Sequence, residues 1–121
     1  MRKVLIVDDD ALTTKLYCSF LERAQFQVQL ATDGVTALNW LERNEVDALV
    51  VDMLMPNMYG DEFMRRVRAM DRYKNVPILA YTAAFIPEVV QQAIDSGATE
   101  VFDKSKVNGA FLKVALQKHI R

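Results

Sequence analysis

Uninterrupted apolar runs alternate along this chain with stretches in which apolar residues recur every three or four positions, and the runs stop at polar residues. Val4 to Val7 is too short for a helix and ends at Asp8, Asp9 and Asp10. Ala48 to Val51, rich in β-branched residues and free of polar alternation, ends at Asp52. Ile78 to Tyr81 ends at Thr82 and the small pair Ala83-Ala84, and the short run Val101-Phe102 ends at Asp103 and Lys104. The longer runs fit buried strands of a parallel sheet covered on both faces, that of Ala48 to Val51 a central one, and Val101-Phe102 fits a short final strand. Phe26, Val28 and Leu30 instead alternate with Gln27 and Gln29, which predicts an edge strand with one wetter face.

Helical periodicity fills the intervals. Leu16, Tyr17, Phe20, Leu21 and Ala24 form one stripe behind Asp10, a good N-cap, with Leu12 at its flank. Ala37, Leu38 and Leu41 follow Asp33-Gly34 and stop at Asn44. Phe63, Met64, Val67 and Met70 make a third stripe after Gly60, and the polar segment Asp71 to Asn75 leads to Pro77 and the next strand. Val90, Ala93 and Ile94 lie between Pro87, suited to a first helical turn, and Gly97, suited to a C-terminal cap. Phe111, Leu112, Ala115 and Leu116 describe a last helix. Five strands alternating with five helices, with no repeat or linker, predict one doubly wound α/β domain over residues 1–121 with a mainly parallel sheet.

Composition narrows the function classes. At 121 residues and 51% hydrophobic content, one core is expected. The formal net charge is −1, so no global field favours nucleic acid or an anionic membrane, and neither is expected as a direct partner. Cys18 is the sole cysteine, which excludes an internal disulfide framework. No apolar run approaches the ~18 residues that span a bilayer, and a cytoplasmic location is expected. The basic cluster Arg65, Arg66, Arg68, Arg72 and Lys74 reads as a solvated face, and His119 as a complement to a helix dipole.

Ligand crevices of open α/β sheets lie at the carboxyl ends of the strands, so Asp8, Asp9, Asp52, Thr82 and Lys104 should meet there. Three crowded carboxylates repel one another. A hard divalent cation relieves this, and magnesium (Mg2+), held by one or two carboxylates while keeping several waters, suits an open aspartate cluster. The ammonium of Lys104 balances the rest; Lys106 is a rival for that place, but Lys104 ends the apolar pair. The competing reading, acids that merely cap the following helices, fits Asp10 best.

The ordered motifs VLIVDDD, VVDMLMPNMYG, LAYTAA and FDKS resemble those of the CheY-like receiver domain of two-component response regulators, over essentially the whole chain. The resemblance implies a flavodoxin-like sheet of strand order 2-1-3-4-5. It also implies that Asp52 takes a phosphoryl group from a phosphohistidine on a sensor histidine kinase or histidine phosphotransfer protein. Asp9 would be a direct magnesium ligand, Asp8 would reach the ion largely through water, and the backbone carbonyl of Leu54 would be a further ligand. Thr82 matches the hydroxyl that closes on the phosphoryl oxygen, and Lys104 the ammonium that pairs with it. The helix carrying Leu12 would meet the phosphodonor, and the output would be an unidentified downstream protein or fused domain.

Three positions depart from the family pattern: Ser105 stands for a proline, Val101 for an aromatic residue that couples to the threonine, and Tyr59 for an aspartate. A trans Lys104-Ser105 bond is expected, with switching carried by Thr82, the loop Ala83 to Pro87 and the helix after it. Two other readings are a scaffold receiver that binds without phosphorylation and a magnesium-dependent phosphohydrolase. The intact acid cluster, Thr82 and Lys104 argue against the first, and the lack of any insertion long enough for a cap argues against the second.

Overall fold

The computed structural model describes residues 1–120. Its strands are β1 (Arg2–Val7), β2 (Phe26–Ala31), β3 (Ala48–Asp52), β4 (Ile78–Thr82) and β5 (Glu100–Asp103). They form one parallel sheet in the order β2-β1-β3-β4-β5, as expected, with the alternating strand β2 at an edge. The helices are α1 (Ala11–Arg23), α2 (Gly34–Arg43), α3 (Gly60–Arg68), α4 (Pro87–Asp95) and α5 (Gly109–His119). Val4, Ile6, Val50, Leu79 and Tyr81 pack with α1 and α5 on one face of the sheet. Leu5, Val7, Leu49, Val51, Ile78 and Ala80 pack with α2, α3 and α4 on the other. The two-residue alternation of a strand produces this division, and because both faces are covered the central strands are apolar throughout.

The caps follow from local chemistry. Asp10 starts α1 by accepting the Thr13 N–H at 3.1 Å, and Asp33 starts α2 by accepting that of Thr36 at 2.8 Å. Pro87 occupies the first turn of α4, and Gly97 beyond its end has φ +115°, a conformation that side chains resist. No peptide bond is cis among the described residues, so Lys104-Ser105 is trans.

Several expectations about burial are corrected. Leu16 is 65% exposed, Phe20 40% and Ile94 49%, because α1 and α4 turn only Thr14, Tyr17 and Leu21, and Ala93, fully inward. Met70 falls just beyond α3, partly buried against the core. The polar segment after it holds a 3-10 turn, Asp71–Tyr73, whose Tyr73 is buried and donates its hydroxyl to the carbonyls of Leu41 (2.9 Å) and Asn44 at the end of α2.

Arg68 is likewise no part of a solvated face. It is half-buried, and its guanidinium donates to the carbonyls of Gly97 (3.0 and 2.7 Å), Tyr73 (2.7 Å) and Val76 (2.6 Å), tying α3 to the segments that lead into β4 and β5. Burial pulls its pKa down, and these carbonyls hold the charge in place. Arg68→Met should therefore destabilise the protein by about 2–3 kcal/mol in urea unfolding, since it strands buried acceptors that no thioether can satisfy. A loss below about 0.5 kcal/mol would place the fork among ordinary surface contacts.

Candidate functional site

The register of the sheet builds the site. Val7 is opposite Val51, so Asp8 and Asp52, the next residues along, stand at one level; Asp52 is opposite Tyr81, and Thr82 is opposite Asp103, which precedes Lys104. Alternation turns Asp8, Asp52 and Tyr81 to the face of α1 and α5, the face taken by Ile6, Val50 and Leu79 two residues earlier in each strand. Asp8 and Asp52 are almost wholly buried, and Asp9 is exposed. One carboxylate oxygen from each of the three lies within 4.8 Å of the others.

At that separation two carboxylates repel by roughly 3–4 kcal/mol at an effective dielectric of ~20, so the cluster needs counter-charge. Lys104 supplies one. Its Nζ donates to Asp52 Oδ2 at 2.9 Å and stands 3.4 Å from Asp8 Oδ2. The remaining Asp52 oxygen, Oδ1, accepts the backbone N–H of Leu54 at 3.0 Å. Burial raises the pKa of Asp52 above the usual carboxylate value; the Lys104 and Leu54 hydrogen bonds oppose this and the charge of Asp8 adds to it. Burial alone would lower the pKa of Lys104, but its contacts with Asp52 and Asp8 outweigh that, and the ammonium is held charged.

Gly60 fixes the turn that returns from this edge. Its N–H donates to the Met53 carbonyl at 3.0 Å, and an added Cβ would lie 2.7 Å from Met53 Cα and 2.8 Å from the Asp52 carbonyl oxygen. Only glycine lets α3 begin so close to the end of β3. Asn57, with φ +69°, takes the left-handed position in the same turn, which asparagine tolerates.

Asp8, Asp9, Asp52 and Lys104 are thus brought together as the strand-end argument expected. Thr82 is fully buried at the same sheet edge, but its Oγ1 accepts the Ala84 N–H at 3.0 Å rather than meeting the carboxylates. Leu54 touches the cluster through its backbone, and its side chain is 49% exposed. Asp10 caps α1, although its N–H also donates to Asp8 Oδ1 at 2.9 Å. His119 lies away from this edge, paired with Glu100.

Sequence reasoning missed Tyr81. Read as one more apolar strand residue, it has a fully buried ring whose hydroxyl donates to Asp8 Oδ2 at 2.5 Å. Burial and the neighbouring Asp8 carboxylate push its pKa far above the ordinary phenol, so the hydroxyl keeps its proton and acts as a donor. The available signal was alternation, which sets Tyr81 on the face opposite to Thr82 and level with Asp52.

The oxygens gathered here are hard donors, and their excess negative charge fits a small divalent cation of the magnesium type. No helix among the described residues is long and apolar enough to cross a membrane.

A family profile described as the response regulator receiver domain matches residues 4–116. The structure of the chemotaxis response regulator CheY4 of Vibrio cholerae superposes with a TM-score of 0.92 at 35% identity, covering 99% of each chain. The sensor histidine kinase RcsC of Escherichia coli K12 is 33% identical over 101 residues, 84% of this chain but 10% of the kinase, so the chain spans about a tenth of that relative's length. The receiver domain of the sensor histidine kinase PA1611 from Pseudomonas aeruginosa PAO1, solved with magnesium coordinated in its active-site cleft, matches with a TM-score of 0.88 at 26% identity, covering 98% of this chain and 96% of that one.

Proposed function

Since the chain belongs to the response regulator receiver domain family of two-component signalling, we propose that residues 1–121 act as one receiver unit that accepts a phosphoryl group on Asp52. The donor is a phosphohistidine on a sensor histidine kinase or histidine phosphotransfer protein, the reaction is magnesium-dependent, and the product switches the binding of a partner. The single observation that carries this reading is the buried Asp52 carboxyl group, set beside two further acids and bonded to Lys104 at 2.9 Å. A scaffold would have no use for so costly an arrangement, because burying each ion costs several kcal/mol.

Asp52 attacks the phosphorus while the P–N bond to the donor imidazole breaks and its electron pair returns to the ring. Leu54 N–H and Lys104 orient the attacking carboxylate, and Lys104 then follows the negative charge to a phosphoryl oxygen. Asp9, Asp52 and the Leu54 carbonyl would hold magnesium, with Asp8 reaching it through water, and the ion would supply positive charge beside the phosphoryl oxygens. The Thr82 hydroxyl, which uses its oxygen to accept from Ala84, keeps its hydrogen for a phosphoryl oxygen. No independent substrate is turned over. The donor protein approaches over α1, where Leu12 (73% exposed) in the first turn and Leu16 and Phe20 further along the helix offer apolar contact.

Output runs through the segment after β4. Val101 is partly buried against the α2–α4 side of the sheet and has no ring to swing, whereas Phe85 and Ile86 stand exposed between Thr82 and α4. Amide hydrogen exchange with and without beryllofluoride and magnesium tests the whole reading. Changes are expected at the acid cluster and across residues 82–95. Protection unchanged throughout, or changed only around Val101, would overturn it.

A further inference from the structure

Asp8, Asp52 and Tyr81 sit at one level on three adjacent strands and on one face of the sheet. Strands lie about 4.8 Å apart, so Tyr81 on β4 must reach over β3 to touch Asp8, across roughly 9–10 Å of sheet. A valine, leucine or phenylalanine in its place would bring no donor to that point. Tyr81 does, with a 2.5 Å hydrogen bond to Asp8 Oδ2, while the Asp10 N–H holds Oδ1 at 2.9 Å. The ring is fixed in turn by an edge contact with Tyr17, 6.3 Å between centroids, and lies beneath Lys104 Nζ, 5.4 Å from its centre.

We propose that Tyr81 is a positioning residue for the divalent-cation site: its hydroxyl sets the orientation in which Asp8 serves the ion. The proposal rests on the magnesium reading given above. A carboxylate has about four acceptor positions, so two donors set its plane and still leave acceptor capacity for the ion's water shell. Lys104, 3.4 Å from the same oxygen, cannot do this reliably, because it turns to the phosphoryl group during the reaction. Tyr81 is neutral and anchored in the core, so its bond to Asp8 is kept through both states. Partners of residues that coordinate a metal directly typically contribute about 10–100-fold to its affinity; Asp8 meets the ion through water, so the share of Tyr81 falls at the lower end of that range.

Calorimetric titration with magnesium chloride tests it in four proteins: the wild type, Tyr81→Phe, Asp8→Asn and the double variant. Tyr81→Phe should weaken magnesium binding about tenfold in the wild-type background and less than twofold in the Asp8→Asn background, since the effect passes through Asp8. Equal affinities of wild type and Tyr81→Phe, tighter binding by the variant, or the same weakening in both backgrounds would each overturn it. A wild type that binds no magnesium would remove the functional reading along with it, which separates the two failures. Should Tyr81→Phe not fold, the wild type labelled with 13C-tyrosine serves instead. The Tyr81 ring signal should then shift with the same midpoint as the Asp9 amide, and an unmoved ring signal would overturn the proposal.

Discussion

Asp52→Asn gains no mass from acetyl phosphate and magnesium, where the wild type gains one phosphoryl group, and yet the variant without metal is the more stable protein. The first half follows from chemistry: an amide oxygen is a poor nucleophile, and no other carboxylate here is bonded to both Lys104 and the Leu54 N–H. The second half follows from electrostatics. In the wild type one ammonium faces three carboxylates, and the burial of Asp52 raises its pKa above the unfolded value. A carboxylate whose pKa is raised by folding destabilises the folded state when ionised. That penalty is absent below the unfolded carboxylate pKa of about 4 and fully present above the raised folded value. The variant's advantage in urea unfolding should therefore be about 1–2 kcal/mol at neutral pH and should fade as the pH falls toward 4. Mass gain persisting in Asp52→Asn would move the acceptor to Asp8 or Asp9. A variant less stable at neutral pH would mean that the Lys104 bond outweighs the repulsion.

Asp9→Ala should lower magnesium affinity by about 100-fold or more, beyond the effect of any residue that acts only through another ligand. Asp9 is the exposed member of the cluster and forms no ion pair among the described residues, so its carboxylate is free to bind an ion directly. Asp8 shares its oxygens with Tyr81 and the Asp10 N–H, and Asp52 shares its own with Lys104 and the Leu54 N–H, so each offers the ion only its remaining acceptor capacity. For the same reason Asp9→Ala should leave unfolding in metal-free buffer unchanged or slightly improved. Calorimetric titration checks the first expectation, with acetyl phosphate uptake at low magnesium falling in parallel. A dissociation constant within about threefold of the wild type would assign the direct contact to another group.

The sequence by itself determined the frame on which these residues sit. Strands covered on both faces must be apolar until they emerge, so the residue ending each run marks the sheet edge, and Asp8, Asp9, Asp52, Thr82 and Lys104 could be placed there from pattern alone. Asp10, Asp33, Pro87 and Gly97 were legible because caps and helix ends are local events, set by residues one to three positions apart. Tertiary structure decided everything that depends on two elements meeting. Periodicity names a helix's apolar stripe, but the way α1 and α4 lie on the sheet decides which edge of the stripe is covered, which left Leu16, Phe20 and Ile94 outside. Arg68 looked like one charge among five until its carbonyl partners came together from three segments, and Tyr73 looked like part of a polar connection until it reached the end of α2. The bond between Tyr81 and Asp8 joins residues 73 positions apart across an intervening strand. No local pattern encodes a contact of that kind, because it exists only once β1, β3 and β4 are in register.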